Sequence, residues 1–380
     1  MKILQVVNFF SPHHGGGSIE VVYQLSKALA QRGHEVSIYT SDFELDQQYI
    51  SSLSEVKTHA FHKWLTAANL QFTPGIINAS KKELEKFDVI HMHNYRTFQN
   101  IVVHHYAKKY SVPYVLQAHG SAGTYFTRGN LKKVYDILGG YNILRNANKL
   151  IAVSPGEVEQ YEKLGIAREK IEIIPNGINP NEFDNLPPRG EFREQYNLSD
   201  NEKLILYLGR IHQVKGIDLL VKSFINLPEN LGKVRLVIAG PDDGYLSSLK
   251  KLSNDLNLNE KIIFTGPLYK ERKFEAYVAA DVYVLPSVYE IFGITVLEAC
   301  ACGTPVIVTD RCGAANIVDG VAGNVVSYDS NELANAILFM LSDDKISREF
   351  SKNGRALVRD KFNWSRIAEQ IENIYVSVCK

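Results

Sequence analysis

Two glutamates, Glu290 and Glu298, stand eight residues apart in SVYEIFGITVLEACACGTPVI, with Gly293 between them. VYVLPS before them reads as a strand, Gly293 to Cys302 as a short helix ended by Gly303, and PVIVT as the next strand, with Pro305 preventing continuation of the helix. The free N–H groups of Gly293, Ile294 and Thr295 at such a helix start can hold phosphate, and Gly293 has no side chain to block its approach. Glu298 lies five residues in, roughly 7.5 Å along the axis. That is too far for the same phosphate, but well placed to accept hydrogen bonds from the hydroxyls of an attached ribose. Glu290, in the loop, can reach the other side of the phosphate, so the spacing suits a nucleotide diphosphate with a group on each end.

Three other segments offer chemistry. In YLGRIHQVKG, Gly209 permits a sharp exit from a strand, after which Arg210 and Lys215 supply a planar fork and an ammonium, a combination that suits a diphosphate. In NFFSPHHGGGS, Gly16 and Gly17 let backbone approach an anion at a helix start, although this is not GxGxxG and a flexible turn is the plain alternative. In LQAHGS, His119 directly follows a strand and can exchange a proton near neutral pH. The HMH triplet at 91–93 is a rival position, and either histidine also fits an ordinary structural role.

The elements that must position these residues repeat as strand, loop, helix. KILQVVNFF, HEVSIYT, DVIHMH, YVLQAH and KLIAVS read as buried strands, and SIEVVYQLSKALAQ as a helix closed by Gly33. The texture breaks over 171–192, where prolines, asparagines and glycines interrupt the periodicity. The alternation then restarts with LILYLG, VRLVIAG, KIIFTG, DVYVLPS and PVIVT. Two α/β units in tandem, each an open parallel sheet covered by helices on both faces, follow from this pattern. Ligands of such sheets bind beyond the carboxyl ends of the strands, where all four segments fall.

Composition narrows the function classes. The 380 residues carry 42 Lys+Arg and 42 Asp+Glu, a balance that speaks against a dedicated nucleic-acid binder. The four cysteines form no CxxC pair, so a structural zinc site is not expected, and they read as reduced core residues. MKILQVVNFF is too short and polar for a signal peptide, and no apolar run reaches about 18 residues. A cytosolic protein is expected, with peripheral contact to the inner face of the cell membrane open to it.

Together these segments resemble the retaining glycosyltransferases of the GT-B fold, family GT4 (glycosyltransferase group 1), over nearly the whole chain. The family's E-x7-E signature is similar to Glu290 and Glu298, and the GGG-helix-RGHEV start, AVSPGEVEQYEKLGI, IIPNGIN and LGRIHQVKG match its blocks in order. The resemblance implies two Rossmann-like domains facing across a cleft: residues 1–185 on the acceptor side and 186–363 binding a nucleotide sugar, with a final helix, 364–380, crossing back to the first. It further implies that Arg210 and Lys215 bind the diphosphate, Glu298 the ribose and Gly16 the phosphates. Glu290 would lie near the donor sugar and His119 near the acceptor. The implied reaction is metal-independent transfer of a hexose-type sugar from a UDP- or GDP-sugar to a glycan or lipid-linked acceptor, without cofactor. CGAANIV departs from the family's Gly-Gly-x-x-Glu turn, with Asn316 where Glu is common. A sugar-nucleotide epimerase on the same fold and a non-catalytic partner subunit stay open as alternatives. An NAD-dependent oxidoreductase lacks its GxGxxG. The stretch 124–149, with Arg128, Lys132, Lys133, Arg145 and Lys149 among Tyr and Leu, reads either as a basic face for an anionic membrane or as a packed helix with a solvated side.

Overall fold

The structure, a computed structural model, describes residues 1–12, 17–67, 70–123 and 129–379. The chain divides into two compact units, Met1–Gly177 with the segment from Trp364 on, and Ile178–Asn363. The division, between Gly177 and Ile178, falls inside the 171–192 stretch where the periodicity breaks and ahead of the 185/186 boundary that the resemblance implies. Ile178 N–H donates to Phe362 O at 2.8 Å and pairs with Asn363, and Phe183 packs on Phe274 at 4.9 Å. These long-range contacts commit the 178–183 turn to the second unit, and its loop-like composition does not reveal them.

The first unit carries β1 (Lys2–Val6), β2 (Glu35–Ser41), β3 (Val56–Phe61), β4 (Leu65–Ala67), β5 (Leu70–Phe72), β6 (Val89–His93), β7 (Tyr114–Gln117), β8 (Lys149–Ala152) and β9 (Ile171–Ile173). Its main sheet runs β3-β2-β1-β6-β7-β8-β9, while β4 and β5 form a separate antiparallel hairpin. All main-sheet pairings are parallel. Both faces are covered, so the strands alternate between two cores. Leu4, Ile90, Leu116 and Leu150 face one core. Ile3, Val89, Val115 and Ile151 face the other, with Val22, Leu25 and Leu29 of the Gly17–Gln31 helix. The C-terminal helix, Trp364–Val378, buries Trp364, Ile367, Ile371 and Tyr375 in this second core. The chain moves outward from β1 to β3 and returns on the other side of β1 at β6, so the strand order reverses between β1 and β6.

The second unit repeats the plan with β10 (Lys203–Leu208), β11 (Val234–Ala239), β12 (Ile262–Gly266), β13 (Val282–Leu285), β14 (Val306–Thr309) and β15 (Gly323–Val326). Their order is β12-β11-β10-β13-β14-β15, all parallel, with the reversal between β10 and β13. Strand β15 opens with Gly323 because a Cβ there would meet Val306 O at 1.7 Å on the neighbouring strand. Among the described residues, no helix is long and apolar enough to cross a membrane.

Candidate active site

In the second unit the chain leaves β10 through Gly209, whose N–H donates to Ala239 O at 3.0 Å. Arg210 is exposed; its Nη1 donates to Asp243 Oδ2 at 2.6 Å, and its carbonyl accepts from the Tyr207 hydroxyl at 2.8 Å. A short turn, Gln213–Lys215, leads to Gly216 at φ +63°. A Cβ on Gly216 would meet Pro286 O at 2.0 Å, so only glycine lets this turn lie against the loop that follows β13. Val288 N–H donates to Val214 O at 2.9 Å and fastens the two loops. Lys215 Nζ is thereby delivered to Glu290 Oε2, in a hydrogen-bonded ion pair whose side chains are each 14% exposed. Arg210 engages Asp243 rather than joining that pair.

Glu290 is held through its backbone as well. Its N–H donates to Arg311 O at 3.2 Å, and its carbonyl accepts from Gly313 N–H at 2.8 Å. The loop after β13 is thus clamped to the loop after β14. Asn316 follows in the Ala315–Val318 helix. At Gly293 the backbone turns through φ +90°, ψ +64° into the Ile294–Cys302 helix. Side chains avoid that conformation, and a Cβ there would also lie 3.1 Å from Cys312 Sγ. The helix leaves its first N–H groups without intrahelical partners and its positive dipole end at Ile294 and Thr295. Thr295 Oγ1 sits 2.7 Å from the Tyr283 hydroxyl, which donates to Leu208 O at 3.1 Å. Gly303, at φ +80°, closes the helix by donating to Ala299 O and Cys300 O.

Glu298 does not stand free. Its Oε1 accepts from Lys273 Nζ at 2.7 Å and its Oε2 from the Tyr277 hydroxyl at 3.1 Å. Burial opposes the charge on Lys273, but the Glu298 carboxylate outweighs it and raises the ammonium's pKa. Lys273 and Tyr277 escaped the sequence reading. Their i, i+4 spacing on the Glu271–Ala279 helix, which puts both on one face, was the available signal.

In the first unit His119 adopts φ +52°, just past β7, and is half-buried. Its Nε2 lies 2.9 Å from His93 Nδ1, and the two rings stack with centroids 5.2 Å apart. His93 of the HMH triplet is thus a direct partner of His119. The packed surroundings desolvate the ring and push its pKa down to about 3, so it is neutral at pH 7. Burial likewise drives His91 and His93 well below the usual range. Behind the loop, Glu157 accepts from Gly120 N–H at 2.5 Å and Val153 N–H at 2.8 Å. Burial pushes its carboxyl up to about 7, against the pull of those two donors. Arg96 pairs with buried Asp136 at 2.8 Å and donates to Ser121 O at 2.6 Å, fastening the same loop.

Gly17 opens its helix, and Gly16 lies outside the described residues, as does Arg128. Of the basic residues in 124–149, Lys132 donates to Gly123 O at 3.2 Å, and Lys149 starts β8 and pairs with Glu172 at 2.7 Å. Lys133 is exposed beside exposed Val134 and Ile137.

Residues 188–357 match the family described as glycosyl transferases group 1, and residues 15–182 match Glycosyltransferase Family 4. A glycosyltransferase of Methanocaldococcus jannaschii is 30% identical over 99% of this chain and 98% of its own length. The D-inositol 3-phosphate glycosyltransferase of Xylanimonas cellulosilytica is 28% identical, over 96% of this chain and 92% of its own length. Among solved structures, Anabaena HepE with UDP and glucose shares the fold at a TM-score of 0.80 and 21% identity, covering 99% of this chain and 100% of that one. Sucrose-phosphate synthase of Thermosynechococcus elongatus matches at a TM-score of 0.77 and 26% identity, over 99% of this chain and 98% of that one. The paired parallel sheets, the Glu290–Glu298 helix start and these likenesses converge: the chain is a glycosyltransferase enzyme of GT-B fold, and it belongs to the group 1, family 4 glycosyltransferases.

Proposed function

We propose that this enzyme moves a hexose-type sugar from a nucleotide-diphosphate sugar, UDP- or GDP-linked, to a glycan or lipid-linked acceptor, with retention and without a metal. The observation that carries the reading is the Lys215–Glu290 pair three residues before the Gly293 helix start. A cation, a carboxylate and unpaired N–H groups gathered there suit a diphosphate with a sugar attached.

Breaking the anomeric bond builds positive charge on the sugar and negative charge on the departing diphosphate. Lys215, Arg210 and the N–H groups of Gly293, Ile294 and Thr295 are proposed to stabilise the latter, with Gly16 and Gly17 approaching the phosphates. For that, the Lys215 ammonium exchanges its carboxylate partner for phosphate oxygens. Glu290, released, positions the donor sugar. Glu298 accepts hydrogen bonds from the ribose hydroxyls while Lys273 holds its Oε1. His119 serves the acceptor side as a neutral imidazole, able to accept a hydrogen bond or a proton. Retention follows from attack on the face that the diphosphate leaves.

HepE has been solved with UDP, glucose and UDP-glucose, which supports a uridine donor as the first trial. For the acceptor, exposed Ile137 (74%) and Val134 (52%) beside Lys133 support a lipid-linked molecule at a membrane surface. Relatives named for inositol 3-phosphate and mannosylfructose-phosphate support a small phosphorylated acceptor as the second reading.

The test is nucleoside diphosphate release from UDP-glucose, UDP-galactose and GDP-mannose in EDTA, with lipid-extract or sugar-phosphate acceptors. Release that requires both a donor and one acceptor class supports transfer and identifies that class. Release or isomerised sugar without acceptor would contradict it. Flotation with anionic liposomes checks the membrane arm, and absence of co-flotation would remove it.

A further inference from the structure

The strand reversal between β1 and β6 brings three polar side chains into the floor beneath His119. Gln5 on β1 faces His91 across the ladder, and His93 on β6 faces Gln117 on β7. Gln5, His91 and His93 are each 0% exposed, in strands whose other residues are almost all apolar. Four consecutive contacts link them. His119 Nε2 lies 2.9 Å from His93 Nδ1, and His93 Nε2 lies 2.6 Å from Gln5 Oε1. Gln5 Nε2 donates to the Tyr375 hydroxyl at 3.3 Å, and that hydroxyl lies 2.7 Å from His91 Nδ1. Tyr375 comes from the C-terminal helix, 370 residues from Gln5. Buried polar groups cost free energy unless partnered, so a chain this long in a strand core asks for a reason.

Donor and acceptor roles can be propagated along it. An amide oxygen only accepts, so His93 Nε2 carries the hydrogen. The neutral His93 ring then has a bare Nδ1, which must accept. His119 Nε2 therefore donates, and His119 Nδ1 is left bare. At the other end, Tyr375 accepts from Gln5 and gives its one proton to His91 Nδ1. That leaves His91 Nε2 protonated and buried without a partner, the one cost of the arrangement. This pattern of donors needs neutral rings, and burial keeps all three histidines neutral at pH 7. Among the described residues, the bond to His93 is the only hydrogen bond made by the His119 ring, and it favours the Nε2–H tautomer.

We propose that Tyr375, Gln5 and His93 are positioning residues that lock His119 in the Nε2–H tautomer, keeping its Nδ1 as a bare acceptor. The C-terminal helix thereby supplies, through Tyr375, the far end of the chain that sets the state of His119. For catalysis this rests on the role proposed for His119; the tautomer itself does not.

Long-range nitrogen–proton NMR on the full chain, labelled at histidine nitrogen and assigned by His119→Gln, reads the tautomer without substrate. Wild type is expected to show His119 protonated at Nε2 alone, and an Nδ1–H signal would overturn the proposal. Gln5→Met keeps the length of the side chain and removes the amide. It should mix the two His119 tautomers and lower kcat about tenfold at unchanged KM for the donor, the low end of the loss of about 10- to 100-fold seen when the partner orienting a metal-bound His is removed. An unaltered tautomer in Gln5→Met would overturn the proposal. Should Gln5→Met give no dispersed spectrum, Tyr375→Phe takes its place with the same expectation, since Gln5 is then free to turn its amide over. If the tautomer behaves as expected but His119→Gln turns over normally, the chain stands and the role given to His119 falls.

Discussion

Lys215 and Glu290 hold each other in an ion pair that is 86% withdrawn from solvent on either side, joined through loops that Gly216 alone allows to touch. On the proposed reading, the Glu290 carboxylate takes the place on Lys215 that diphosphate oxygens would occupy. Removing one partner has opposite consequences from removing the other. Lys215→Met leaves a partly buried carboxylate that repels the donor, and should weaken nucleotide-sugar binding about 10- to 100-fold, or about 1.4–2.8 kcal/mol. Glu290→Gln frees the ammonium, so nucleotide affinity should hold or rise while turnover falls about 100-fold through loss of sugar positioning. Calorimetry beside turnover separates the two. Unchanged turnover in Glu290→Gln would sink the role given to that residue.

Glu298 presents a second exchange. Its two oxygens are held by Lys273 and Tyr277, with the ion-paired side chains 14% and 25% exposed. Glu298→Ala should lower stability by about 1–3 kcal/mol because it strands the Lys273 charge. Lys273→Met in the same chain should recover part of that loss, with a coupling of about 1–2 kcal/mol in a double-mutant cycle. Chemical denaturation of the four proteins measures it. Full additivity would mean the pair is ornamental to the fold.

Glu157 gives the first unit a pH dependence whose sign can be worked out. Burial raises its carboxyl from 4.5 in the ordinary state to about 7 in the fold. Between those values the folded chain holds the proton more tightly than the unfolded one. Its contribution is therefore complete below about pH 4.5 and is lost as pH rises through about 7, at up to about 1.4 kcal/mol per pH unit. Glu157→Gln should flatten the melting temperature over pH 5–7 relative to wild type. An identical slope in the two proteins would contradict this account.

What could be read in advance, and what could not, follows from where the information sits. The strands β1, β10 and β14 are legible because short runs dominated by Ile, Leu and Val, bounded by polar residues or glycine, leave few other readings. Strand β15 is not, because GNVV opens with the glycine that makes room for Val306 O. The E-x7-E spacing and the Gly293 hinge mark the helix start, and φ +90° supplies a stricter reason for that glycine than an open approach to phosphate. Residues that act through partners stay hidden. Gln5 and Tyr375 lie at opposite ends of the chain, and a lone Gln in an apolar strand carries no local signal of a histidine behind it. Lys273 looks like any solvated helix lysine until Glu298 is placed beside it.

The central claim, a nucleotide-sugar site built on Glu298 and the Gly293 helix start, is most directly tested by a thermal-shift panel of UDP-, GDP- and ADP-sugars in EDTA on wild type and Glu298→Ala. Binding to the native state alone raises stability by RT ln(1 + [L]/Kd), about 2.7 kcal/mol at a hundredfold excess over Kd. The account predicts a rise in wild type with one nucleotide class, and none for that class in Glu298→Ala. No rise with any nucleotide sugar, or an equal rise in the variant, would contradict it.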